Sequence, residues 1–142
     1  MLSLNRMVLL IVVVALQIGV PRVNTSLAQE DAAKGIVGVW EGTGITGTLP
    51  APSVLVFTQE GNKLNWKWSW VASFGKGEAE GTVTKIALPS LELSGAYITH
   101  PNPRVLKSPV NMHLTVQGDH MQGGGLTTAV NTPFTVRLTK QQ

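Results

Sequence analysis

The sequence predicts an all-β fold: an up-and-down antiparallel barrel of eight strands in a single domain. Three observations carry the expectation. Charged residues make up only 13% of the 142 residues and glycines number 15, a composition far from that of a disordered chain or a long-helix protein. Short apolar runs recur at even spacing with turn residues between them, and no helical periodicity lasts more than a turn or two. Eight consecutive strands can also close on themselves, which removes the edges an open sheet would have to protect.

The elements follow in chain order. Gly35 to Gly44 is β-branched and glycine-punctuated, after a short polar lead from Gln29 to Lys34, and is the first strand. Val54 to Gln59 and Lys63 to Ser73 form a hairpin across the turn residues Glu60, Gly61 and Asn62. Gly77 to Ile86 alternates weakly, Pro89 and Ser90 break the chain, and Leu91 to Thr99 alternates again. His100 to Pro109 holds three prolines in ten residues and is a long loop, because proline cannot donate to a sheet ladder. Val110 to Gln117 shows the clearest period of two, with Val110, Met112, Leu114 and Val116 on one face. Gly118-Asp119 then turns the chain into His120 to Leu126, where Gly123, Gly124 and Gly125 would supply a bend or bulge. Phe134 to Leu138 is the last strand.

The start of the chain stands apart from this pattern. Arg6 precedes a 14-residue apolar run, residues 7–20, followed by Pro21 and a polar stretch ending in Ser26-Leu27-Ala28. This reads as a secretory signal peptide cleaved after Ala28, since the run falls short of the roughly 20 residues that span a bilayer. The mature domain is then 29–142, without a stable membrane anchor, in the periplasm or outside the cell. Losing Arg6 and Arg22 leaves nine basic against eight acidic residues, a net charge of +1. Scattered single lysines at near-neutrality argue against nucleic-acid binding. With no cysteine there is no disulfide framework, thiol nucleophile, thiolate zinc site or lipidated cysteine.

The aromatic pattern is the most informative feature. Trp66, Trp68 and Trp70 recur at period two with Leu64, so the three indoles share one face of a strand. An eight-stranded barrel is just wide enough for side chains or for one small ligand. The indoles therefore either fill the interior or wall a ligand site there together with Tyr97, Met112 and Leu114; a sugar-stacking platform on the outer face is a third arrangement. The loop His100 to Pro109 would act as a lid, with His100, Arg104 and Lys107 as a cationic group at the mouth.

Gly38-Val39-Trp40 within GVWEG resembles the G-x-W element that opens lipocalin-like barrels of the calycin superfamily. That resemblance implies a barrel plugged at one end by Trp40, with Gly38 leaving room for the crossing backbone. It also implies that Arg137 on the last strand stacks across the indole. Arg137 alternates out of phase with Phe134, Val136 and Leu138, so it would have to reach round the rim. The chain also resembles small secreted bacterial lipocalin-like domains that carry a W-x-G opening strand; avidin-like barrels likewise use a G-x-W opening.

Chemistry-bearing residues are few. His113 and His120 fall on the polar face of one hairpin, roughly 13 Å apart at ~3.3 Å per residue, too far to share a metal. Glu78, Glu80 and Glu92 lie on adjacent strands and are read as a solvated face rather than an acid/base pair. No nucleophile elbow, HExxH, Walker loop or dinucleotide fingerprint occurs. No metal site or cofactor is expected, nor any catalytic residue. The leading reading is a secreted, non-enzymatic protein that binds a small apolar or amphipathic ligand inside the barrel. The alternative is a filled barrel serving as a structural or protein-interaction module. A small-barrel isomerase or cyclase would need an inward-facing ionisable residue, which the parity of the strands does not supply. An outer-membrane barrel would need a polar lumen and an apolar outside.

Overall fold

The computed structural model describes residues 30–142, and the proposed signal peptide, 1–28, lies outside the described residues. Eight antiparallel strands form one closed barrel in simple sequential order: β1 (Gly38–Thr46), β2 (Leu49–Glu60), β3 (Lys63–Ala72), β4 (Gly75–Ala87), β5 (Ser90–Thr99), β6 (Pro109–Gln117), β7 (His120–Thr127) and β8 (Thr132–Lys140). Closure runs from Trp40 opposite Lys140 to Thr46 opposite Phe134. The up-and-down barrel expected from the turn spacing is therefore the architecture observed.

Two elements differ from the expectation. Residues 30–36 form a short helix, so β1 begins at Gly38 rather than at Gly35. The Ala-Ala-Lys segment before Gly35 favours helix, and Ala33 and Ile36 bury their side chains in the core. Strand β2 begins at Leu49, five residues earlier than the apolar run suggested: residues 49–52 pair with β1 alone, since β2–β3 pairing starts at Ser53, so Pro50 and Pro52 sit on a local edge, with Ala51 and Ser53 pointing inward. The run Gly123 to Gly125 stays in register with both neighbours, and the irregularities of the sheet fall instead between β4 and β5, at Glu78/Ala79 and Val83/Lys85.

Period-two alternation fills the interior. On β3, Leu64, Trp66, Trp68 and Trp70 are all buried, while Lys67 is exposed. The hairpin turns 61–62, 88–89 and 118–119 and residues 33–36 lie at one end, where Ile36, Trp40, Phe57, Leu91, Met121 and Leu138 are packed solid. The connections 47–48, 73–74, 100–108 and 128–131 ring the opposite end.

Glycines decide how such large side chains fit. A Cβ at Gly95 would run into the Glu80 carbonyl of the neighbouring strand and come within 2.6 Å of Trp66 Cζ2. A Cβ at Gly77, opposite Trp70 in the register, would strike the Trp70 ring. Indoles thus lie over bare backbone, a close approach that only glycine permits.

Candidate functional site

The end ringed by connections 47–48, 73–74, 100–108 and 128–131 is open. A cavity of about 260 Å³ lies there, walled by Trp68, Trp70, Tyr97 and Phe134 and lined also by Ala51 and Ser53. Trp68 stacks on Phe134 with ring centroids 4.9 Å apart and planes 24° from parallel. It also meets Trp70 at 6.4 Å and Tyr97 at 6.5 Å in tilted contacts. Strand pairing explains the gathering: β8 brings Phe134 to the mouth, and β3 and β5 end there.

Of the six residues expected to line a ligand site, Trp68, Trp70 and Tyr97 wall this cavity. Trp66, Met112 and Leu114 share their inward face but lie in the packed interior, outside the cavity wall. Trp66 sits over Gly95, and its indole N–H donates to the Thr82 carbonyl at 3.0 Å. Strand parity gives the face of a side chain and not its depth along the barrel. Ser53, Thr127, Val105 and Phe134 belong to the wall and were not anticipated. Ser53 follows the same inward parity as Leu55 and Phe57 once β2 is continued through its prolines.

Polar groups are sparse and mostly satisfied. Tyr97 Oη and Thr127 Oγ1 share a buried hydrogen bond of 2.8 Å, and burial pushes the phenol pKa up, so the pair stays neutral. Ser53 Oγ donates to the Ala51 carbonyl at 3.2 Å. The Trp68 indole N–H is buried without a hydrogen-bond partner among the described residues, whereas Trp40 and Trp66 both donate to backbone carbonyls.

His100 closes one side of the mouth. Its ring meets Trp70 edge-on at 5.4 Å and Tyr97 at 5.2 Å. Its Nδ1 accepts the Asn102 backbone N–H at 2.9 Å, which leaves Nε2 to carry the proton of the neutral ring. The following loop is held rather than free: Tyr97 N–H donates to the Ser108 carbonyl, Lys107 N–H to the Tyr97 carbonyl, and Val105 is fully buried. Arg104 and Lys107 remain exposed on its outer surface.

Burial lowers the His100 pKa from the usual 6.5, so the folded protein resists protonation there more than the unfolded chain does. His100 therefore supports stability fully above about pH 6.5, and that support fades as pH falls below it. A His100→Asn variant, which keeps an acceptor near Nδ1, is expected to flatten this part of the stability-versus-pH curve. Urea midpoints at pH 7.5 and pH 5.5 check this; an unchanged difference between wild type and variant would show that His100 does not contribute.

The last-strand cation is not where the resemblance placed it. Arg137 is exposed on the outer face, opposite Thr43 and Gln122, because its parity is opposite to that of Val136 and Leu138. Lys140 takes the role instead: its Nζ lies 5.7 Å from the centroid of the Trp40 ring and 2.8 Å from the Gly35 carbonyl, to which it donates. Lys140 shares the inward parity of Leu138 and sits directly opposite Trp40, a signal present in the sequence. Gly38, at φ 136°, sits beside the Lys140 side chain, and Trp40 is completely buried with its N–H donated to Ile36 at 2.9 Å.

The remaining polar residues stay on the outside. Gln117 pairs with His120, and His113 lies opposite Gly124, so the two histidines are held apart as expected. Glu78 meets Lys67 at 3.7 Å and Glu92 meets His113 at 3.8 Å, so these carboxylates face separate partners rather than each other. Among the described residues no group of three or more His, Asp or Glu side chains is placed to hold a metal. No family model matches the chain, and neither curated proteins nor solved structures yield a match.

Proposed function

We propose that this chain is a secreted, lipocalin-like binding protein of the calycin type, holding a small apolar or amphipathic ligand at the open end of its barrel, without catalysis. The observation that carries the reading is the aromatic cavity itself. Its volume exceeds the roughly 150 Å³ that accepts a benzene ring in a dry protein interior and lies just below the range of drug-sized pockets, about 300–1,000 Å³. A single ring or a short chain with one polar end suits it. The Tyr97–Thr127 pair, Ser53 and His100 offer the few fixed polar groups that orient such a ligand. No Asp, Glu, Lys or Arg side chain lines the cavity, which favours binding over acid/base chemistry. The plugged end, with Trp40 beneath Lys140 and residues 33–36, is compatible with the calycin likeness, and the residue 7–28 pattern supports secretion.

The alternative, a filled barrel, draws on Trp66, Met112 and Leu114, which pack as ordinary core. An Ala51→Phe variant separates the two readings. Ala51 lines the cavity on the inward face of β2, and a phenyl ring there occupies the site while adding apolar contact. Thermal-shift screening of single-ring and short-chain amphiphiles is expected to find compounds that raise the wild-type Tm by several degrees, as ligand at ~100 times Kd stabilises by about 2.7 kcal/mol. The folded Ala51→Phe variant should show no shift with the same compounds. Equal shifts in both proteins would place binding elsewhere, and none in either would favour the filled barrel.

A further inference from the structure

Four large apolar side chains around the cavity mouth face solvent, Leu49 at the first residue of β2 and Phe74, Leu106 and Val130 within three of the connections, between 38% and 50% exposed. Just below them, the outward faces of the strand ends add Ile45, Val71, Ile98 and Leu126. Ten large apolar side chains are exposed among the described residues, and only Val39 and Leu88 lie toward the other end. Scattered exposed apolar residues are ordinary, but concentration on one rim is not.

Charge follows the same division. Connections 47–48, 73–74, 100–108 and 128–131 contain Arg104 and Lys107 and no acidic residue, and Lys76 stands exposed at the start of β4. The acid nearest this rim, Glu78, already faces Lys67. The opposite end mixes both signs, with Glu60 and Asp119 beside its turns and Lys63 and Lys140 at its strand ends. Lys107 also adopts a left-handed conformation, φ 65°, that glycine takes more readily, with its N–H tied to the Tyr97 carbonyl; the chain places a cation at the rim where a small neutral residue would be easier to fold.

We propose that the mouth docks reversibly on an anionic lipid membrane. Apolar tips entering the boundary between headgroups and acyl chains, with Arg and Lys left at headgroup level, are the arrangement that suits interfacial binding. Four tips spread round one circular rim engage a flat fluid surface together, without the shape complementarity a protein partner requires. Docking in this orientation opens the cavity toward the bilayer, and it does not depend on whether the cavity holds a ligand.

Among the described residues, the buried apolar core runs from Ala33 to Leu138, and a chain beginning at Gln29, which includes all of it, serves for the test. Co-sedimentation with phosphatidylcholine vesicles, with and without phosphatidylglycerol, measures binding. The chain is expected to pellet with the anionic vesicles and to be released as salt is raised. Combined Arg104→Gln and Lys107→Gln should weaken this binding about fivefold per charge. Phe74→Glu with Leu106→Glu should abolish it, and Leu88→Glu at the far end should leave it unchanged, with circular dichroism confirming the fold of each variant. The proposal is overturned if the wild type stays in the supernatant with both vesicles, if Leu88→Glu weakens binding as much as the rim variant, or if the rim residues instead mediate a dimer in vesicle-free solution.

Discussion

Replacing Trp40 by alanine is expected to cost about 3–5 kcal/mol from lost burial and the cavity left behind. Trp40 is fully buried, its N–H is donated to Ile36, and Lys140 lies over its ring. Alanine leaves the Ile36 carbonyl without its donor and strands the Lys140 stem over an empty site, which adds to the loss. Total stability for a domain of this size is about 5–15 kcal/mol, so the variant should lose a large share of it. Urea unfolding should show a much lower midpoint at an unchanged slope. Lys140→Met, which keeps the stem but removes both the charge over the ring and the donor to the Gly35 carbonyl, should lose only about 1–2 kcal/mol. A loss for Trp40→Ala no larger than that of Lys140→Met would show that the plug does not hold the closed end.

Gly95→Val should be comparably damaging for the opposite reason, too much volume. The added Cβ meets the Glu80 carbonyl on β4 and the Trp66 indole at once, so both the sheet and the core must shift. Overpacking at a single side chain typically costs about 1–3 kcal/mol, and a rigid carbonyl cannot yield as a side chain does, so a loss of at least about 3 kcal/mol is expected. Gly35→Ala is the matching control. Nothing lies within 4 Å of a Cβ there, and the residue belongs to the short helix, so alanine should cost nothing. Thermal unfolding of the two variants checks the pair; equal stability would remove the account of indoles lying on bare backbone.

Much of the fold is legible in the sequence because turn residues and parity are local signals. The Gly118-Asp119 turn fixes Gln117 opposite His120, and the register follows from there. Where the sequence misleads, a local rule is overridden. Prolines usually end a strand, yet β2 runs through Pro50 and Pro52 because that stretch pairs with β1 alone and has no β3 neighbour. The G-x-W element marks the plug, while its cation is Lys140, whose parity matches, and not Arg137. The site is legible only in part. Trp66, Trp68 and Trp70 are equivalent by spacing, and what separates them is depth: Trp66 is seated over Gly95 in the packed interior, and Trp68 and Trp70 reach the open end. Depth depends on strand tilt and on which glycines lie across the barrel, which no single strand encodes.

The central claim, a hollow aromatic mouth above a packed core, is tested most directly by a tryptophan-fluorescence titration of the chain from Gln29 with short-chain fatty acids, single-ring amphiphiles, a polarity-sensitive dye and simple sugars. The account predicts saturable one-to-one quenching or a blue shift with apolar or amphipathic compounds. That response should be lost in Trp68→Phe combined with Trp70→Phe, which leaves only the enclosed Trp40 and Trp66 to report. A blue-shifted emission that none of these compounds moves, in a protein that unfolds cooperatively, would contradict it.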